Sequence, residues 1–200
     1  MSTAETIRKR VLRLQRGEPF TNARFLKLGS RASVDKALSR LVEEGIITRI
    51  ARGMFVRPKE NRFIGNVMPD ATKIVEVLAR EHGETIQVHG AEAARRFKLS
   101  TQVPTMPVFL TSGPTRELKI GKLTIKLKHA SHRKLHLAGK RAGLALSALW
   151  YLGKDNVNSN VISAIHEGLT EKEFENLKHT DMPAWMSGAF EKYDKATIHA

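Results

Sequence analysis

The sequence predicts an α+β protein in two parts: a winged helix-turn-helix over residues 1–65, then a mixed α+β domain over residues 66–200 that ends in helices. Three observations predict it. Amphipathic helical segments separated by Gly-containing turns lead into a short basic hairpin. Strand-like runs and a second hairpin lie between residues 85 and 128. From Lys140 onward the apolar spacing is helical.

Taken in order, Ser2-Thr3-Ala4-Glu5 has the form of a capping box, and Ile7, Val11 and Leu14 then recur on one face of a first helix stopping at Gly17. Thr21 is the expected N-cap of a short helix through Phe25 and Leu28. Leu28-Gly29-Ser30 reads as a tight turn with Ser30 capping a third helix. That helix carries Val34, Ala37, Leu38, Leu41 and Val42 as one apolar stripe and ends at Gly45. Ile46–Ala51 and Met54–Arg57, separated by Arg52-Gly53, read as a hairpin, the wing.

Residues 58–69 read as a connector. Asp70 caps a helix with Ile74, Val75, Leu78 and Ala79 inward. Thr85–Val88 and Pro107–Leu110 are strands, with a short helix from Ala91 to Phe97 between them. Glu117–Ile120 and Leu123–Lys128, joined by Gly121-Lys122, form the clearest hairpin. The helices that follow carry Leu144 to Leu152, then Val161, Ile162 and Ile165, then Phe174 with Leu177, then Trp185, Met186 and Phe190.

Composition narrows the function. The 200 residues contain no cysteine, which excludes disulfides, thiolate metal sites and a cysteine nucleophile and fits a cytoplasmic protein. There is no long apolar run and the N-terminus is not a signal sequence, so no membrane partner is expected. The 34 Lys+Arg against 20 Asp+Glu leave a net charge of +14, which calls for a polyanion. The excess is uneven. Residues 1–65 hold 15 basic and 6 acidic residues, residues 66–140 hold 13 and 6, and residues 141–200 hold 6 and 8. With aromatics at only 6%, duplex DNA is favoured over a single strand, which needs exposed rings for stacking.

On a helical wheel with the apolar stripe turned inward, the third helix presents Ala32, Ser33, Lys36, Ser39, Arg40 and Glu43 outward. Small residues permit approach to the major groove, and Lys36 and Arg40 can reach base edges. Arg31 falls off this face, but at the first turn it can still reach a phosphate. Arg49, Arg52 and Arg57 would meet backbone or minor groove from the wing, and Arg24 and Lys27 would clamp phosphates on the other side.

The run from Gly29 to Ile47 followed by Arg52-Gly53-Met54-Phe55 resembles the N-terminal winged helix of the AbiE-type (type IV) abortive-infection antitoxins, the AbiEi-like regulators. Val88-His89-Gly90-Ala91, Gln102-Val103-Pro104 and Leu110-Thr111-Ser112-Gly113-Pro114 resemble the start of that family's C-terminal domain. The resemblance implies a transcriptional autorepressor that binds inverted repeats at its own promoter. It also implies that the remainder of the chain counteracts a nucleotidyltransferase-like toxin, without necessarily forming a stable complex with it. The recognition positions it carries over are Arg31, Ser33, Lys36 and Arg40, with Arg52 on the wing.

Lys122, Lys126 and Lys128 share one face of the second hairpin. Two readings apply: a further basic surface for structured RNA or an acidic partner, or protection of an edge strand. A regulator with a winged helix but no toxin partner remains the plainer alternative to the antitoxin reading. No enzyme, metal site or cofactor is expected. His129, His132 and His136 lack a carboxylate or thiolate to complete a metal set. Asp70 with Glu117-Leu118-Lys119 matches a metal-dependent nuclease pattern only formally, because Asp70 reads as a helix cap. Gly121-Lys122 lacks the upstream glycine of a phosphate-binding loop.

Overall fold

The structure, a computed structural model, describes residues 2–62 and 65–198; Met1, connector residues 63 and 64, and residues 199 and 200 lie outside it. It is a mixed α+β fold that divides into two compact units, one of residues 1–83 with 119–124, the other of residues 84–118 with 125–200.

In the first unit, α1 (Thr3–Leu12) starts where Ser2 accepts a hydrogen bond from the Glu5 amide. It stops short of Gly17 because the chain turns out of the helix after Arg13. Pro19–Thr21 is not merely a lead-in to a helix: it is a buried strand, β1. A 3-10 segment, Asn22–Leu28, takes the place of the expected second α-helix. Next, α2 (Arg31–Glu43) begins at Ser30, whose side chain accepts from the Ser33 amide. The turn before it depends on Gly29: a Cβ there would lie 2.7 Å from the Ser33 hydroxyl and 2.9 Å from a Thr3 methyl. At the other end Gly45 adopts a left-handed φ of 71°.

The expected hairpin forms as β2 (Thr48–Ala51) and β3 (Met54–Val56), with a bulge between Arg49 and Ala51 that accounts for its imperfect alternation. β1 pairs antiparallel with β3, giving a three-stranded sheet in the order β1-β3-β2. Register places Phe20 opposite Phe55, and their rings stack at 5.9 Å while Phe25 meets Phe20 edge-on at 5.8 Å. All three are buried, together with Ile7, Val11, Val34, Leu38, Leu41 and Ile47. Burying each such aromatic stabilises the unit by roughly 1.5–3 kcal/mol, so these rings serve the core.

The connector also has structure, a two-stranded pair of β4 (Lys59–Asn61) and β5 (Gly65–Val67). The helix that follows, α3 (Ala71–His82), is capped by Asp70, which accepts from the Thr72 amide at 2.7 Å. This helix groups with the first unit, so that unit runs past residue 65 to Gly83.

The second unit combines β6 (Ile86–Val88), α4 (Gly90–Arg96), β7 (Val108–Thr111) and most of β8 (Arg116–Ile120) and β9 (Leu123–His129), whose residues 119–124 group with the first unit, with four helices. The sheet order is β6-β7-β9-β8; β6 and β7 are antiparallel, whereas β7 and β9 run parallel. The helices are α5 (Arg141–Leu152), α6 (Ser159–Glu167), α7 (Glu171–Lys178) and α8 (Ala184–Ile198). Their apolar faces, with Ala93, Ala94 and Phe97 of α4, form the second core. Among the described residues no helix is long and apolar enough to cross a membrane.

Candidate nucleic-acid interface

Asn22 ties the β2–β3 hairpin to α2. Its backbone amide donates to the Gly53 carbonyl at the hairpin turn (3.1 Å), and its side-chain amide donates to Asp35 of α2 (2.8 Å). Asp35 also lies 3.9 Å from Arg31, one helical turn earlier. Arg49 donates to the Ser39 hydroxyl (3.3 Å) and sits over the Phe55 ring at 5.3 Å. Arg49 is therefore steadied before any ligand arrives, which lowers the entropy lost on binding, whereas Arg31 is largely exposed and only loosely paired.

These contacts build a cleft of about 480 Å³ in which Arg31, Arg49 and Arg52 converge, with Asn22, Asp35 and the Glu81–His82 end of α3 on the remaining walls. Arg52 makes no side-chain hydrogen bond or ion pair among the described residues, and neither do Lys36 and Arg40, which stand exposed on α2. Three cations at a concave site and two more on the adjoining helix face form an anion-attracting surface, tempered by Asp35 and Glu81.

Other expected residues fall elsewhere. Ser33 uses its hydroxyl inside the capping turn, donating to the Ser30 carbonyl at 2.8 Å. Lys27 is exposed on the 3-10 segment. Arg24 lines a neighbouring cleft of about 790 Å³ with Arg13, Lys73 and Arg80, which shares Thr21 and Glu81 with the cleft of the three arginines. Arg57 departs from its sequence reading. Its guanidinium donates to the Leu12 and Leu14 carbonyls, both at 2.7 Å, and so caps the open end of α1 instead of facing outward from the wing.

The second basic surface differs in one respect from expectation. β9 is an interior strand between β7 and β8, so its lysines do not protect an edge. Lys126 pairs with Glu117 of the edge strand at 3.8 Å. Lys128 is exposed on β9 and Lys122 is exposed in the turn. Lys128 also acts on His89, whose pKa burial holds below its ordinary value and the lysine lowers further.

Sequence reasoning missed Asn22, Asp35, Glu81 and His82 as walls of the arginine cleft. Asp35 had a visible signal, its i,i+4 spacing from Arg31. The others are brought in by tertiary packing alone. Among the described residues no group of three His, Asp or Glu is placed to hold a metal ion. Asp70 caps α3, and His129 bonds the Gly113 carbonyl at 3.0 Å.

A protein family described as of unknown function, DUF6088, matches residues 6–177. The chain belongs to that family. The match takes in the arginine cleft, the sheet and the helices through most of α7, and leaves α8 outside. No curated protein matches the chain.

Proposed function

We propose that the first unit is a winged helix-turn-helix that binds double-stranded DNA, with α2 in the major groove and the β2–β3 wing on the flanking backbone. In this reading Lys36 and Arg40 reach base edges, while Arg31, Arg49 and Arg52 hold phosphates, with Arg24 and Lys27 on the far side. The observation that carries it is the convergence of Arg31, Arg49 and Arg52 in one cleft beside the exposed Lys36–Arg40 face.

The role proposed for the whole chain is that of a cytoplasmic autorepressor and antitoxin, acting on inverted repeats at its own promoter and opposing a nucleotidyltransferase-like toxin through the C-terminal domain. Its support is the resemblance of the Gly29–Ile47 run and the Arg52–Phe55 wing to the AbiEi-like regulators. A second reading, structured RNA on Lys122 and Lys128, gains weight because an interior strand has no edge to protect. The experiment is a binding titration of the full chain against duplex DNA from upstream of its gene, a scrambled duplex and a structured RNA. Preference for the upstream duplex supports the first reading; preference for RNA that is lost in Lys122→Ala/Lys128→Ala replaces it with the second. Co-expression with the neighbouring gene tests the antitoxin half: rescue of growth that requires this chain supports it.

A further inference from the structure

The chain has fourteen glycines, and thirteen have a local reason to be glycine. Eight adopt a positive φ, and a Cβ at five others would come within 3 Å of a neighbouring atom. Gly188 alone has neither. It stands inside α8, where glycine is the poorest helix former after proline, and a Cβ there would meet nothing within 4 Å. The space beside it is a pocket of about 350 Å³ lined by Lys154, Asn158, Ser159, Trp185, Gly188 and Lys192, wholly within the second unit.

Two features of that pocket select a ligand. Lys154 and Lys192 are exposed and make no ion pair among the described residues, although this third of the chain is net acidic. By contrast, Lys178 nearby in sequence is shared between Glu175 (3.2 Å) and Asp194 (2.8 Å). Two unpaired ammonium groups on one small cavity attract an anion. Trp185 supplies a flat apolar wall, and its ring is steadied by Trp150 packed edge-to-face at 6.3 Å. Aromatic faces take any base, and the volume sits at the small end of the range for small-molecule sites, enough for one nucleotide. We propose that this pocket binds a mononucleotide, its base against Trp185 and its phosphate held by Lys154 and Lys192, with Gly188 kept free of a side chain to leave room for it.

The site owes nothing to the DNA reading of the first unit. It is tested by titrating the full chain with AMP while following the fluorescence of its two tryptophans, with adenosine and inorganic phosphate as parallel probes. The expected result is saturable quenching by AMP, with adenosine and phosphate each at least tenfold weaker. Gly188→Leu fills the cavity while improving helix propensity, so helix content should hold and AMP affinity should fall at least tenfold. Lys154→Ala/Lys192→Ala should lose a similar factor without touching the α8 backbone at position 188. No saturable quenching, equal affinity for phosphate and AMP, or unchanged AMP affinity in either variant would overturn the proposal.

Discussion

Replacing Arg57 with alanine separates the architecture of the wing from its proposed contacts. The guanidinium makes two 2.7 Å bonds, to the carbonyl of Leu12 at the end of α1 and to that of Leu14 just beyond it, neither of which has another partner among the described residues. A hydrogen bond from a charged donor contributes about 1.5–3 kcal/mol, and these two are partly open to water, so together they stabilise the unit by about 2 kcal/mol. For a chain of this length that corresponds to a melting temperature lower by about 4–8 °C. DNA affinity at a temperature where the variant is folded should be unchanged, and so should its salt dependence. Arg52→Ala should do the opposite: the melting temperature stays put, while the slope of log affinity against log salt becomes shallower by about one. Thermal melts by circular dichroism and anisotropy titrations at four salt concentrations measure both. Arg57→Ala with an unchanged melt and a shallower slope would refute the reasoning, because it would place Arg57 on the DNA.

Lys36→Ala and Arg40→Ala should each weaken binding to the upstream duplex by about 1–3 kcal/mol and relax sequence preference where the residue reads a base; selection from a randomised duplex pool shows whether they do. His89 accepts a hydrogen bond from the Ala91 amide and so must be neutral there, and burial, then Lys128, keeps its pKa below the ordinary 6.5. The unfolded chain takes up that proton first, so stability is full above about pH 6.5 and falls as the pH drops further. His89→Asn, which keeps a capping oxygen, should flatten that fall in urea melts between pH 7 and pH 5. Gly113→Ala would put a Cβ 2.3 Å from the Glu84 carboxylate, which bonds Arg116 at 2.7 and 2.8 Å and Thr111 at 2.9 Å. It should destabilise the second unit by about 1–3 kcal/mol in chemical denaturation.

Local signals made most elements legible. Ser2, Ser30 and Asp70 are side-chain caps that the backbone obeys, and the apolar stripes of α2 and α5 to α7 are buried as their spacing requires. What the sequence concealed were non-local pairings. Three residues at Pro19–Thr21 carry no strand period, and become β1 only because β3 offers an edge with Phe55 opposite Phe20. The parallel β7–β9 pairing, between residues 18 apart, has no local signature and turns an expected edge strand into an interior one. Charge was readable for Arg31, Arg49 and Arg52 of the cleft, and the outward helical face for Lys36 and Arg40 beside it. The capture of Arg57 by α1 was not, since it depends on where the first helix stops.

The central claim is that the Arg31, Arg49 and Arg52 cleft and the adjoining α2 face grip duplex DNA. The most direct test is the affinity of the full chain for DNA upstream of its gene and for a scrambled duplex, as a function of salt. With Arg24, Lys27, Arg31, Arg49 and Arg52 on phosphates, the log–log slope should be about −4 to −5. The upstream duplex should bind about a thousandfold more tightly, or better, than the scrambled one. Equal affinity for the two duplexes, or a slope near zero, would contradict the account.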